Sequence, residues 1–289
     1  MRRIKALLLL AGLLLTMTAC SREVQPRYFD HVNDAGFHTY ACVRGNSFSV
    51  GYFYESEAFE GSCTLQEDGS YMLDFFTIPV KLRPYFGDFF VIEFPDEPDM
   101  TEWLAQKSLL TLHEDGTFTI YNQEMLTYTV TETRGKTIVR VHMADYDSEY
   151  WVEGATVTDY DVARGTYAIR ERGATRMVDL TFGDNTLSAT LTGDTLTVTF
   201  EWGPVRMEKI GENEFFALTD GKETITRLLG DGTAEYVAAQ GRTTGHATVV
   251  PGDRMECVTG EMRVIMDVEG DKIVLTMNDN DDIILSEVE

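Results

Sequence analysis

Five histidines, His31, His38, His113, His142 and His246, are the side chains best placed to exchange protons near neutral pH. None forms a spaced metal-binding pair. His113-Glu114 is followed by Asp115-Gly116-Thr117, so the second histidine of an HExxH site is missing. His142 shares a strand face with Arg140, opposite Val139, Val141 and Met143, and reads as solvated. Carboxylates offer more. Asp145, Asp147 and Glu149 cluster, with Asp159 and Asp161 nearby, in a segment that also carries Tyr146, Tyr150, Trp151 and Tyr160. Aromatic rings beside carboxylates suit a sugar or an amine. Two such acids at the right separation can also hydrolyse a glycosidic bond. Asn278-Asp279-Asn280-Asp281-Asp282 offers oxygens to calcium but lacks the glycine and closing glutamate of an EF-hand loop. It reads as a hairpin turn between two apolar strands. There is no Gly-x-Ser-x-Gly, P-loop or Gly-x-Gly-x-x-Gly motif, and Gly221-Lys222-Glu223-Thr224 lacks the upstream glycine of a P-loop. We therefore expect no enzyme, no cofactor and no metal.

Aromatic residues are unevenly spread. Residues 28–94 hold 17 of them, against 32 in the whole chain. Tyr52-Phe53-Tyr54 and Tyr85-Phe86-Gly87-Asp88-Phe89-Phe90 place rings on both faces of their strands, so one face must meet another sheet, a partner or a ligand. Tyr52, Tyr54, Tyr85, Phe86, Tyr150 and Trp151 are the candidate contact residues.

The elements that must position these residues are β-strands. In Thr195-Leu196-Thr197-Val198-Thr199-Phe200 the apolar residues all face one way; Thr117–Ile120, Val178–Phe182 and Ile273–Met277 repeat the pattern. Such alternation means antiparallel strands with one wet and one buried face. Asp-Gly at 68–69, 115–116, 220–221 and 231–232 suits type I′ hairpin turns. Leu-x-x-Asp-Gly-Ser/Thr occurs at Leu65–Ser70, Leu112–Thr117 and Leu228–Thr233, as three related units or as one hairpin chemistry used repeatedly. One short helix is expected near 99–107, capped by Asp99 and carrying Glu102, Trp103, Leu104 and Lys107.

The chain begins MRRIKALLLLAGLLLTMTAC. Arg2, Arg3 and Lys5 precede a short apolar stretch, Ala6–Leu15, about half of the ~20 residues a spanning helix needs. That is the pattern of a secretion signal. Met17-Thr18-Ala19-Cys20 resembles a bacterial lipobox, with Met17 where leucine is usual. The resemblance implies that residues 1–19 are removed and that Cys20 carries a diacylglyceryl group. A protein so anchored lies on the extracytoplasmic face of the cell membrane. Export permits disulfides. A Cys42–Cys63 bridge is expected on neighbouring strands, with Cys257 a buried free thiol. Residues 20–36 read as a tether.

The chain has 289 residues, with 24 Lys+Arg against 48 Asp+Glu, a net charge of -24. Loss of Arg2, Arg3 and Lys5 with the signal makes it -27. So acidic a surface excludes nucleic acid as a partner. It is also repelled by anionic lipid, which leaves the acyl chains to hold the protein at the membrane. LTLHEDGTFTIY, ARGTYAI, VDLTFGDNTLSATLTGDTLTVTF and PVRMEKI, between Leu109 and Ile210, resemble the lipocalin-like small β-barrels of bacterial lipoproteins. The resemblance implies a barrel, in some members with an internal ligand cavity, and fixes no ligand. The expected fold class is all-β, in antiparallel meander barrels or sandwiches: an aromatic-rich unit at 37–108, a lipocalin-like barrel at 109–210 and a C-terminal β unit at 211–289. The expected function is a membrane-anchored ligand-binding or interaction module for a small molecule, a glycan or an envelope protein. The alternatives are an envelope glycan hydrolase acting through Asp145, Asp147, Asp159 and Asp161, or a structural envelope-assembly partner.

Overall fold

Apolar residues at every second position leave each strand one face to bury, and the chain solves this with antiparallel pairing throughout. The computed structural model describes residues 24–288 apart from Arg134, Ala174, Glu261 and Asp279; Cys20 and the signal-like segment lie outside the described residues. The first strands are β1 (Arg27–Val32), β2 (Phe37–Arg44) and β3 (Ser47–Tyr54), then the short β4 (Phe59–Leu65), β5 (Tyr71–Leu73), β6 (Lys81–Pro84) and β7 (Phe89–Glu93). The one α-helix among the described residues, α1 (Pro98–Lys107), precedes β8 (Ser108–Leu112). The long β9 (Thr117–Thr133) leads to β10 (Lys136–Met143), β11 (Tyr146–Glu153) and the equally long β12 (Thr156–Arg172). Next come β13 (Thr175–Phe182), β14 (Asn185–Thr192), β15 (Thr195–Phe200), β16 (Gly203–Gly211), β17 (Glu214–Thr219), β18 (Lys222–Leu228) and β19 (Thr233–Thr244). The chain ends with β20 (His246–Val250), β21 (Arg254–Val258), β22 (Arg263–Glu269), β23 (Lys272–Met277) and β24 (Ile283–Val288).

Strands β12 to β19 form a closed eight-stranded antiparallel barrel, because β19 returns to pair with β12 from Thr156↔Thr244 to Thr166↔Thr233. Its interior holds Val178, Leu180, Leu196, Val198, Met207 and Phe215, all essentially buried. Each fully buried side chain of this size contributes roughly 1.5–3 kcal/mol. The barrel therefore lies at 156–244, not within 109–210. The local pattern in 109–210 marks strands correctly, but closure depends on β19, which no local pattern can pair with β12.

The other strands form a second body. β20 to β24 run in order; β24 pairs with β1, and β1, β2, β3, β9, β10, β11 and β12 follow side by side. This sheet curls around a core of Phe29, Phe48, Tyr128, Val139, Met266, Leu275 and others. The first half of β9 turns aside to pair with β4 and β8 in a smaller sheet. That sheet covers Ile92, Phe94, Leu110 and Phe118, and α1 closes it through Leu104. The helix starts on Pro98 at its first turn, whose fixed φ suits that position. Asp99 sits in the first turn facing the helix dipole, and Glu97 occupies the N-cap without a side-chain bond, so Asp99 is not the cap.

The Asp-Gly turns divide into two kinds. Asp220 (φ 51°) and Gly221 (φ 78°) both lie in the left-handed region, as type I′ requires. The three Leu-x-x-Asp-Gly-Ser/Thr segments differ. Only the glycine is left-handed, and its N–H donates three residues back: Gly69 to Gln66, Gly116 to His113, Gly232 to Leu229. These are type I turns followed by a glycine bulge. The aspartate accepts from the backbone N–H two residues on, at Ser70 (3.0 Å), Thr117 (3.0 Å) and Thr233 (2.9 Å). The repeat is therefore one hairpin chemistry used three times, joining β4–β5, β8–β9 and β18–β19.

Candidate ligand cleft at the seam

β12 belongs to both bodies, so the outer face of the barrel at β12, β19 and β18 abuts the face of β10 and β11 turned away from the main core. Period-2 alternation decides what meets there. Val139 and Val141 go into the core, which turns Arg140 and His142 to the seam. Register places Glu149 opposite Arg140 and Asp147 opposite His142. From the barrel side, Arg227 pairs with Glu235, and Arg164 lies opposite the same glutamate.

The result is a buried ion network. Arg227 Nη1 and Nη2 donate to the two oxygens of Glu149 at 2.6 and 2.9 Å, and its Nε donates to Glu214 at 2.7 Å. Arg140 donates to Glu149 at 2.5 Å and to Glu235 at 2.9 Å. Trp151 Nε1 donates to Glu149 at 2.8 Å. Glu149 and Glu235 are each 1% exposed. Burial alone would drive the Glu149 carboxyl up, but the Arg227 bonds and the charges of Arg227 and Arg140 bring it down to about 2. Arg227 is likewise held charged against burial by Glu149, well above its usual value.

Beside the network opens a cleft of about 580 Å³. Its floor carries a relay. Arg164 Nε lies 2.9 Å from Asp147, and Asp147 accepts from His142 Nδ1 at 2.6 Å. His142 Nε2 lies 2.5 Å from Gln106 Nε2 and 3.6 Å from Glu102 Oε1. Gln106, buried on α1, is left with its Oε1 unpartnered. The helix also brings Asp99, Glu102 and Trp103 to the rim, and the β18–β19 hairpin brings Leu229, Asp231 and Thr233.

The residues singled out from sequence scatter. Tyr52 is half-buried on β3, its hydroxyl donating to Glu124. Tyr54 is exposed, its ring 4.6 Å from that of Phe37. Phe86 is buried among Tyr28, Tyr40 and Phe89, and Tyr85 packs edge-on to Tyr28, so most of this aromatic band is sheet-on-sheet packing. Tyr85 and Phe86 also border a groove beside Arg27 and Glu287. Tyr150 and Trp151 are not on one loop. They are neighbours on β11 and face opposite ways: Tyr150 packs on the main core, and Trp151 points into the seam against Tyr160 at 5.1 Å. The four acids do not converge either. Asp147 faces the seam, whereas Asp159 and Asp161 alternate with the seam-facing Tyr160 and Val162 and so lie on the other face of β12. Asp145 is exposed and paired with Lys107 at 2.9 Å. Cys42 and Cys63 are free thiols: Cys42 lies on β2 opposite Ser49, and Cys63 lies on β4 with its Sγ donating to the Gly116 carbonyl at 3.4 Å. His142 is part of the cleft floor rather than a solvated residue.

Arg164, Arg227, Glu235 and Gln106 were not legible as site residues. A usable signal was present on β10 and β11, where Arg140 and His142 alternate with Val139, Val141 and Met143, and Asp147 and Glu149 alternate with Ser148 and Tyr150. Compared with known family models, curated proteins and solved structures, the chain matches none. Among the described residues no helix is long and apolar enough to cross a membrane.

Proposed function

We propose that this chain is a lipid-anchored, extracytoplasmic binding module whose seam cleft takes a small polar ligand. The observation that carries the proposal is the cleft itself: a space within the usual ligand-site range, walled by a buried ion network that holds its polar groups in fixed positions. Two acids at or beside it do not suit general acid catalysis. Glu149 is held ionised, and the Thr233 bonds pull Asp231 below the usual carboxylate range. Binding is therefore preferred over glycan hydrolysis. Support for the anchor comes from the sequence alone, in the Met17–Cys20 segment and the apolar stretch before it. Within this reading, the likeness to lipocalin-type barrels concerns architecture, because the barrel interior is occupied by its own side chains and the cleft lies outside it.

Two measurements test this. Native mass spectrometry of the full chain from its host, set against the denatured mass, should show a non-covalent adduct that is lost on denaturation. Labelling with radioactive palmitate should mark the wild type and not Cys20→Ser. An unlabelled wild type refutes the anchor. A bare mass, joined by no binding across amine, sugar and amino-acid panels, refutes the module.

A further inference from the structure

Resting on the lipid-anchor reading, we infer that the ectodomain docks on the bilayer surface through an aromatic groove beside its first strand. The tether expected at 20–36 is mostly sheet: β1 takes up Arg27–Val32, and β2 opens at Phe37. The described backbone already begins at Val24. From Cys20 to Val24 there are four residue steps, which span at most about 14 Å when fully extended. An acylated Cys20 therefore holds Val24, and the surface adjoining it, within that distance of the lipid headgroups. The adjoining surface is a groove of about 750 Å³. Gln25 and Pro26, the next two residues of the chain, line one side of it. Tyr28, Pro84, Tyr85, Phe86 and Val288 supply its apolar part. Packing fixes the rings, with Tyr28 stacked on Phe86 at 5.6 Å and edge-on to Tyr85 at 5.2 Å. Tyr28 and Tyr85 are only half-buried, so each leaves part of its ring uncovered. Tyrosine rings of this kind suit the boundary between headgroups and acyl chains.

Charge separates this patch from the rest of the surface. The chain has a net charge of -24, so most of its surface is repelled by anionic lipid. At the groove the acids are matched. Arg27 holds Glu287 at 2.6 Å, and Arg83 on β6 holds Glu93 at 2.6 Å, which leaves Asp88 exposed at the neighbouring turn. A patch that is aromatic and close to neutral suits a zwitterionic bilayer. A second copy of the chain is the poorer occupant, because two molecules of this charge repel each other.

The test puts a nitrobenzoxadiazole label on the full lipidated chain in phosphatidylcholine vesicles that carry a doxyl quencher just below the headgroups. Cys63→Ser removes the thiol nearest the surface. Pro84→Cys marks the groove, and Leu218→Cys, exposed on β17, marks a comparison site on the barrel. Quenching at position 84 should exceed that at position 218 at least 3-fold. Twelve Gly and Ser residues inserted between positions 23 and 24 should leave more than half of that excess, because the groove itself holds the bilayer. If Pro84→Cys fails to fold, Gln25→Cys, exposed at the same groove, takes its place. Equal quenching at the two positions overturns the docking. So does an excess that vanishes with the longer tether, which would show reach alone. Self-quenching between labels at position 84, in vesicles without doxyl lipid, would give the groove to a second copy and also overturns it. Palmitate labelling of the same sample keeps the two readings apart. A palmitate-labelled chain without the excess loses the docking alone, whereas an unlabelled chain loses the anchor and the docking with it.

Discussion

Arg227 grips Glu149 with both ends of its guanidinium, across 78 residues of chain and from one β body to the other. Both groups are buried, and each has further partners: Glu214 and Glu235 for the arginine, Arg140 and Trp151 for the glutamate. Such a pair is expensive to break from one side, because the survivor is left charged in a dry place. Arg227→Met should lower unfolding free energy by about 3–5 kcal/mol in urea titrations. Arg227→Met combined with Glu149→Leu should recover part of that loss. A single-mutant cost under 1 kcal/mol would mean that the seam is wet and the network loose.

Acid should attack the same pair. The Glu149 carboxyl titrates near 2 when folded and near 4.5 when free, so its contribution is fully present above about pH 5 and disappears as pH falls towards 2. The shift corresponds to about 3 kcal/mol. Denaturant midpoints at pH 7, 4 and 3 should fall in that order. Glu149→Gln, already weakened at neutral pH, should show a smaller drop between pH 5 and pH 3 than the wild type.

Gly165 marks the place where β12 passes from one body to the other. A Cβ there would lie 2.0 Å from the Thr181 carbonyl oxygen of β13, a backbone atom that cannot swing away. Gly165→Ala should cost about 3 kcal/mol or more and loosen barrel closure. Hydrogen exchange should then speed up first in β13 and β19, the two neighbours of that stretch. Uniform exchange rates would place the strain elsewhere.

Gly116 tests the bulged hairpin. Its φ is 83° and a Cβ would meet nothing closer than 3.8 Å, so Gly116→Ala adds backbone strain without a clash. The expected loss is about 1–2 kcal/mol by thermal or chemical unfolding. A neutral substitution would show that the turn can relax to another type.

The three thiols give a chemical check. Without reductant, iodoacetamide under denaturing conditions should label Cys42, Cys63 and Cys257. In the native protein Cys63, half-buried near the surface, should react before Cys257, which is fully buried and whose thiol burial pushes up to about 12. Burial pushes Cys42 to about 11, so it too should be slow at pH 8. A mass short by two labels that is restored by reduction would establish a bridge instead.

The strands were legible because alternation is local: Leu196 and Val198, or Ile273 and Leu275, announce their buried face within six residues. The helix was legible through Asp99 and the run Glu102, Trp103, Leu104 and Lys107 after it, although Asp99 lies in the first turn and not at the cap. The barrel boundary was not, because Thr166↔Thr233 is a pairing between residues far apart in sequence. The site suffered the same way. Asp147 and Glu149 stood out as acids, but their partners Arg164 and Arg227 come from strands that only tertiary structure brings near. The aromatic band misled for a physical reason: rings on both faces of a strand are as well used by packing a second sheet as by a ligand, and Phe86 and Tyr40 do the former.

The pairing of β1 with β24 sets Tyr28 beside Val288, so the two ends of the described chain lie against each other. The molecule is a closed circuit whose opening is arbitrary. A short linker across that join, with new ends cut at the hairpin turn around Gly183, would give a rearranged gene product with the same strand neighbours.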